Sequence, residues 1–299
     1  MKICIVANPA AGRGRAVATI AKVRENFAPL NFHSLTLTER SGDEESLASS
    51  ALDDGCDLIV AVGGDGTCSR IANAILHTGS SCAMAVVPCG TGNDFAKTLG
   101  VQRFGPEQIA SLIGESQASP IDVGRFDDNY FLNSCGFGFD PSVLEATQRA
   151  RFLKGDAVYI WSALKQLFTY RGVDVSVSDD DARPTQRHLL MLTVSNGQFL
   201  GGAFHIAPRA SVVDGLLDVC LLSDSNIFER VQIFAAAFRG THVGLRSVET
   251  RRVDVMNLSF VEPPMMEIDG ELHRARSAAV RIECVPRALN VIAAPGALH

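Results

Sequence analysis

The sequence predicts a two-domain α/β protein: an N-terminal domain with a mostly parallel sheet, and a mainly antiparallel C-terminal β-sandwich with helical insertions. In the first 120 residues, short apolar runs alternate with amphipathic stretches, as in consecutive β-loop-α units. Beyond Pro120, strand-like runs predominate. We therefore expect one domain at 1–120, completed by 288–299, and a β-rich domain at 121–287.

Four β-loop-α units are predicted in the first domain. Residues 2–7 are apolar and β-branched, so they indicate a buried strand. The helix predicted at 16–27 places Val17 and Ile20 on its buried face, and Ser41 with Glu44 is typical of a capping box opening a helix at 43–52. The other strands are predicted at 35–38, 57–62 and 83–87, the last two followed by helices ending near 76 and 99.

The second domain is predicted from strand-like runs with turn residues between them. Two stretches, 141–166 and 227–238, indicate helices, and the polar residues 178–187 indicate a hairpin loop. The predicted strands are 124–135, 173–178, 188–195, 203–208, 216–222, 253–260, 265–268, 280–285 and 288–292.

The composition excludes several classes of protein. Hydrophobic residues make up 46% and charged residues 20% of the 299 residues, as in a globular chain. No apolar run reaches the ~18 residues of a membrane span, and the N-terminal residues do not resemble a signal peptide, so we expect a cytoplasmic protein. The eight cysteines form no CxxC pair, which argues against a zinc site or a disulfide framework. A net charge of −6 argues against a nucleic-acid partner.

Glycine-rich loops follow three of the predicted strands, at residues 8–14, 63–67 and 89–94. Ligands of open parallel sheets bind outside the carboxyl ends of the strands. Glycines let the backbone approach a phosphate, and the helix that follows adds a favourable dipole. One such loop alone is equally well explained as a tight turn, but three together predict a phosphate site. The sequence has no GxxxxGK[ST] motif, and no GxGxxG follows the first strand.

The GGDGT sequence at 63–67, followed by GTGNDF at 90–95, resembles the diacylglycerol kinase catalytic-domain family. That family includes bacterial lipid kinases and sphingosine kinases and is related to NAD kinases. Further matches in order cover nearly the whole chain: Asn8-Pro9 with Gly12, 195–197, Gly201-Gly202, Pro208, 214–218 and 269–271.

The resemblance implies an ATP- and Mg²⁺-dependent kinase with named site residues. It implies that Glu271 accepts the proton of a lipid hydroxyl, with Asp269 as a close competitor, and that Asp65 helps to place the metal. It also implies a structural Mg²⁺ on Asp214 and the carbonyls of Ser211 and Leu216. The residues that match the family's ATP contacts are Asn8, Thr38, Gly63, Gly64, Asp65, Gly66, Thr67, Thr91 and Asn93.

One position departs from the family pattern, because Arg70 stands where family members usually carry Glu. A basic residue there is suited to pair with a phosphate or a nearby carboxylate.

The sequence leaves three functional hypotheses: a kinase acting on diacylglycerol or a similar lipid alcohol at a membrane surface, an NAD kinase-like enzyme with a soluble substrate, and a non-catalytic nucleotide-binding regulator. The apolar residues near 137–168 either line a lipid pocket or pack the core. The sequence does not decide whether the chain forms a homodimer.

Overall fold

The computed structural model of the chain describes residues 1–149, 165–179 and 183–298, without the side chains of 147–149. The chain divides into two compact units. The first, here the α/β unit, comprises Met1–Val123, Ser211–Gly215 and Val285–His299. The second, here the β unit, comprises Gly124–Ala210 and Leu216–Cys284.

The α/β unit contains a parallel sheet, as predicted. Its strands are β1 (Ile3–Ala7), β2 (Ser34–Leu37), β3 (Leu58–Gly63), β4 (Ala83–Pro88) and the end of β15 (Ala279–Val291). They follow the order β2-β1-β3-β4-β15, with parallel pairing throughout. Every residue of β1 and β3 is buried, which fits a sheet with both faces covered.

The helices of the α/β unit follow its strands: α1 (Ala16–Phe27), α2 (Asp43–Asp53), α3 (Asp65–Thr78), α4 (Asp94–Thr98) and α5 (Pro106–Glu115). The sequence analysis missed α5, whose buried side chains include Ile109 and Ile113. Val17 was wrongly placed on the buried face of α1, since it is 60% exposed and Ala16 is buried instead.

The predicted capping box at the start of α2 is wrong. The N-cap is Gly42 at φ +98°, not Ser41. Asp43 accepts the backbone N–H groups of Glu39 and Arg40 at 2.9 and 2.7 Å. Glu44 is fully buried and accepts the Gly42 N–H at 3.1 Å.

The β unit is antiparallel, as predicted. Its strands are β6 (Asn129–Phe131), β7 (Ser134–Gly138), β8 (Val173–Asp179), β9 (Thr185–Ser195), β10 (Leu217–Ser223), β11 (Val248–Val253), β12 (Val255–Ser259), β13 (Met265–Ile268) and β14 (Glu271–Arg274), with parts of β5 (Ser119–Phe126) and β15. The order is β14-β13-β7-β9-β8-β12-β15, and β10 pairs with β9 and β11.

Three strand predictions in the β unit need correction. Residues 203–208 form no strand, only an isolated bridge between Leu200 and Phe204. The predicted strand 124–135 divides into β5, β6 and the start of β7, with Asp127 at φ +46° in the first turn. The two last predicted strands are one strand, β15, which passes Arg287 at φ +53°.

Two helices of the β unit, α6 (Phe139–Arg149) and α7 (Ile227–Ala237), cover an apolar cluster on one face of the sheet. β9 contributes Leu190 and Met191 to this cluster and Leu189 and Leu192 to the second apolar cluster of the unit. Residues 165–169 are also helical, and 150–164 of the predicted helix 141–166 lie outside the described residues.

Helix length and hydropathy show whether a segment could cross a bilayer. Within residues 1–149, 165–179 and 183–298, no helix is both long and apolar enough to do so.

Candidate functional site

The loops after β3 and β4 touch each other through glycines. The Cys89 N–H donates to the Gly63 carbonyl at 2.7 Å. A Cβ atom on Gly90 would lie 2.6 Å from the Cα of Gly64, and one on Gly12, at φ +57°, would lie 2.1 Å from the Cys89 carbonyl oxygen. The three loops can therefore come this close only because these positions carry no side chain.

Side chains from within the loops fix their shape. Asn93, at φ +52°, accepts the Gly90 N–H at 2.8 Å and donates to the Gly90 carbonyl at 3.1 Å. One carboxylate oxygen of Asp65 accepts the Phe95 N–H at 3.1 Å, which ties the start of α3 to the start of α4. Asn93, predicted as a nucleotide contact, thus shapes the loop through both ends of its amide.

A buried polar network lies behind the GGDGT loop. The Asn8 amide donates to Glu44 Oε1 at 2.9 Å and to Thr67 Oγ1 at 3.4 Å, and the Thr67 hydroxyl donates to Glu44 Oε1 at 3.2 Å. The Arg70 guanidinium lies 3.7 Å from Glu44 Oε2. Because a buried carboxylate is costly unless paired and hydrogen-bonded, Arg70 and its neighbours stabilise Glu44. Sequence analysis missed Glu44 by assigning it to a helix cap.

The other predicted nucleotide residues lie around the same edge of the sheet. Thr38 follows β2, is buried, and donates its backbone N–H to the Ala7 carbonyl at 3.0 Å. Gly66 lies in the first turn of α3, and Thr91 is exposed in the loop before α4.

The glycine-rich edge fits a phosphate group. The first turn of α3, which begins at Asp65 in the GGDGT loop, directs backbone N–H groups outward at the edge where the loops meet. Asp65, half-buried at the start of that turn, supplies the carboxylate oxygen that Mg²⁺ prefers. The residues present therefore suit a nucleotide phosphate with its magnesium ion.

The predicted structural-metal segment is anchored by an aspartate that sequence analysis missed. Asp122 is 1% exposed, and its carboxylate accepts the N–H groups of Gly215 at 2.7 Å and Arg287 at 2.8 Å. Asp214 is exposed; it belongs with Ser211 to the α/β unit, while Leu216 belongs to the β unit. Across the described residues, no three His, Cys, Asp or Glu side chains form a metal-binding group. A site made of one carboxylate and two carbonyls stays a prediction.

The two candidate bases lie at the hairpin between β13 and β14. Asp269 and Gly270 have φ +47° and +88°, as in a type I′ turn. The Asp269 carboxylate is 5% exposed and accepts the N–H groups of Leu132, Asn133 and Ser134 at 2.9, 2.8 and 3.2 Å. Glu271, the first residue of β14, is half-buried. The Asp269 oxygens are thus committed to the backbone of 132–134.

Another buried acid, Asp140, lies at the start of α6. It is 5% exposed and accepts the Thr193 hydroxyl at 3.1 Å. Burial raises the pKa of Asp140 to about 7, against the opposing effect of the Thr193 hydrogen bond. A Cβ on Gly136 would lie 2.7 Å from Asp140 Oδ2 and 3.2 Å from Glu267 Oε2, so both carboxylates flank this glycine. Neither acid was among the predicted site residues.

Asp140 also borders an apolar cavity of about 50 Å³ within the β unit. Of the aromatic residues predicted near a lipid pocket, Phe139 lines it, Phe137 stacks on Phe260 in the core, and Phe168 is 65% exposed. Phe152, Leu153, Tyr159, Trp161 and Leu164 lie outside the described residues. The other lining residues include Leu167, Leu200, Phe204, Ile233, Phe234 and Ala237.

Comparison with known proteins gives a consistent result along the chain. Residues 2–126 match the diacylglycerol kinase catalytic domain, and residues 133–293 match the YegS C-terminal NAD kinase beta sandwich-like domain. A diacylglycerol kinase of Bacillus subtilis (strain 168) is 27% identical, covering 89% of this chain and 88% of its own. The Stenotrophomonas maltophilia protein named "Probable lipid kinase YegS-like" is 31% identical, covering 84% and 83%.

The fold has close counterparts among solved structures. A crystal structure of a diacylglycerol kinase from Bacillus anthracis str. Sterne aligns with a TM-score of 0.75 at 22% identity, over 99% of this chain and 98% of that one. At this identity the likeness shows the two-part fold alone.

We expect Asp269→Asn to destabilise the fold more than Glu271→Gln does. The introduced amide can accept only with its oxygen, and its NH₂ group would oppose backbone N–H donors at 132–134. The expected loss is about 2 kcal/mol in the free energy of unfolding, against less than about 0.5 kcal/mol for Glu271→Gln. Urea unfolding of both variants measures the difference. Equal losses would contradict the structural role of Asp269.

Asp140 should make stability fall as the pH rises toward 7. Its pKa is raised in the folded state, so between about pH 4 and 7 the folded protein holds a proton that the unfolded chain has released. Asp218, whose pKa burial raises to about 6, acts in the same direction. We expect the stability of Asp140→Asn relative to the wild type to be greater at pH 8 than at pH 5, by at most about 2.6 kcal/mol.

Thermal unfolding at both pH values tests this expectation, with Glu262→Gln, an exposed acid of the same unit, as the control. The control should shift equally at both pH values. A pH-independent effect of Asp140→Asn would show that Asp140 keeps an ordinary titration.

Proposed function

Because the chain belongs to the diacylglycerol kinase catalytic-domain family, we propose that it is an ATP-dependent lipid kinase that transfers the γ-phosphate to the hydroxyl of diacylglycerol or a similar lipid alcohol. The observation that carries the choice of acceptor is the similarity over most of the chain to proteins named diacylglycerol kinase and lipid kinase. The apolar cavity bordered by Asp140, in the same unit as the Glu271 hairpin, is lined mainly by hydrophobic side chains, as a lipid site would be, but its volume of about 50 Å³ has room for only a small part of an acyl chain.

The glycine-rich loops take the nucleotide in this proposal. Bound MgATP supplies the transferable phosphoryl group and neutralises part of its charge. Backbone N–H groups in the first turn of α3 donate to phosphate oxygens, and the same turn adds the favourable end of the helix dipole. Asp65 holds the magnesium ion on the same edge. Asn8, Thr67 and Arg70 keep the loop in place from behind through Glu44.

Glu271 is the proton acceptor in this proposal, and Asp269 positions it. A general base needs an oxygen that can approach the substrate hydroxyl. The Asp269 carboxylate is buried and already accepts backbone N–H groups, whereas Glu271 is half-buried at the end of the same turn. Glu267 supports the turn by accepting the Gly270 N–H.

The two alternative functions lose support from particular contacts. Arg70, the departure that favoured a non-catalytic regulator, is an ion-pair partner of Glu44 and leaves the glycine-rich loops intact. An NAD kinase-like acceptor site would need polar groups for a nucleotide, but Asp140 and Arg230 are the charged residues lining the apolar cavity among the described residues.

Transfer of labelled phosphate tests the proposal. Purified protein is incubated with γ-labelled ATP, Mg²⁺ and either dioleoylglycerol in mixed micelles or NAD, and the organic and aqueous phases are separated. We expect label in the organic phase, and a loss of about 100-fold or more in kcat for Glu271→Gln, because a positioned base contributes on that scale.

Two variants complete the test. Asp65→Asn should lose transfer through weaker metal placement, whereas Glu262→Gln, an exposed acid of the β unit, should keep it. Label on NAD alone would point to the soluble-substrate alternative. ATP binding without transfer to any acceptor would point to a regulator.

A further inference from the structure

Helix α7 exposes an apolar face on the side away from the cavity. Phe228 is 84% exposed, Val231 45% and Phe238 41%, and Ala235 is also exposed. Their spacing of three and four residues places them on one stripe of the helix and its C-cap. A surface helix normally presents polar residues there, so this stripe indicates a contact surface.

The segment at 165–171 extends this face with Phe168, which is 65% exposed. The buried guanidinium of Arg230, on α7, donates to the carbonyls of Leu167 at 2.9 Å and Tyr170 at 2.8 Å, so the segment is fixed against the helix. Among the described residues, the exposed phenylalanines are Phe168, in the segment that Arg230 holds against α7, and Phe228 and Phe238, on α7 and its C-cap. The docking face comprises Phe168, Phe228, Val231, Ala235 and Phe238.

Exposed cations border the docking face. Lys165 and Arg171 flank Phe168, Arg239 follows Phe238, and Arg246 precedes Ser247, whose hydroxyl donates to Glu229 of α7 at 2.9 Å. None of the four cations forms an ion pair with a described residue.

The acids nearby are already engaged. Glu229 accepts the Ser247 hydroxyl, and Asp224 is paired with Arg230 and with His188. On a chain of net charge −6, this border of cations is complementary to an anionic surface.

The docking face is connected to the apolar cavity through packed aromatic rings, tilted or edge-to-face. Phe238 lies 4.5 Å from Phe204 and 5.4 Å from Phe234, measured between ring centroids, and Phe204 and Phe234 both line the cavity. Ile233 and Ala237 of the same helix line it as well. One helix thus contributes its inner side to the cavity and its outer side to the surface.

We propose that the docking face lies on an anionic lipid bilayer, with its phenylalanines in the headgroup–acyl boundary and the bordering cations on the phosphates. Phenylalanine on one side of a helix with Lys and Arg at its edges is the pattern of an interfacial helix. The inference rests on the proposed function in one respect: a membrane-borne acceptor would then reach the cavity from the bilayer that the helix touches. The binding itself is testable without catalysis.

Vesicle sedimentation tests the apolar part of the docking face. We expect the wild type to sediment with vesicles of 70% phosphatidylcholine and 30% phosphatidylglycerol, and Phe228→Ser to bind several-fold more weakly. The double variant Phe168→Ser, Phe228→Ser should lose about tenfold or more. Val261→Ser, which removes an apolar side chain that is 93% exposed elsewhere on the β unit, is the matched control and should bind as the wild type does.

Charge reversal tests the cationic border. Arg239→Glu with Arg246→Glu should lower binding to the anionic vesicles about tenfold and leave the weak binding to pure phosphatidylcholine unchanged. Arg103→Glu, an exposed arginine of the α/β unit, is the matched control. Circular dichroism confirms that each variant is folded before it is used.

The outcomes separate docking from catalysis. If transfer to soluble short-chain dioctanoylglycerol is unaffected in Phe168→Ser, Phe228→Ser while transfer to vesicle-borne lipid falls, both proposals are supported. If no lipid is phosphorylated but the vesicle results hold, the docking proposal survives and the proposed function fails. Vesicle binding that is absent in the wild type, or equal in the double variant, would overturn the docking proposal. So would a wild-type dimer in light scattering that the double variant converts to a monomer.

Discussion

The contact between the backbones of Gly64 and Gly90 is the constraint on which the nucleotide site depends. β3 and β4 are adjacent parallel strands, so their loops leave the sheet side by side, and any side chain at Gly90 would push them apart. Asn93 then fixes the loop after β4 through the Gly90 N–H, and Asp65 fastens the loop after β3 to the start of α4 through the Phe95 N–H. The first turns of α3 and α4 are held at the same edge of the sheet. A phosphate site made from backbone donors requires this proximity.

Buried carboxylates hold other segments of the chain in place, as the glycines allow the loops to pack closely. Glu44 is hydrogen-bonded to Asn8 and Thr67 and ion-paired with Arg70. Asp122 accepts backbone N–H groups of Gly215 and Arg287, and Asp269 accepts those of residues 132–134. A buried charge is tolerated only when several donors face it, so each of these acids fixes the segments that supply the donors. Their positions determine where the glycine-rich loops and the Glu271 hairpin lie within their own units.

Sequence analysis predicted the parallel and antiparallel halves because apolar periodicity and glycine-rich loops are local signals. It also predicted the edge at which the loops would meet, since the carboxyl ends of parallel strands share one edge. It failed where a residue's role depends on a distant partner. Glu44 has the spacing of a helix cap but turns toward Asn8, and Asp269 resembles a base but serves residues that are more than 130 positions away. Val17 follows the helical period yet remains exposed, because α1 presents Ala16 to the sheet instead.

Hydrogen–deuterium exchange on the unaltered protein measures directly whether the glycine-rich loops form a phosphate cradle. Exchange is followed by mass spectrometry with and without ATP and Mg²⁺, in the absence of any lipid. We predict that nucleotide slows exchange in peptides covering 63–67, because N–H groups at the start of α3 would be donated to phosphate oxygens, and in 89–95, because Asp65 ties that segment to the same edge, while α5 and the β unit change little. Saturating MgATP that leaves both loops unprotected, or protects another part of the chain instead, would contradict this role.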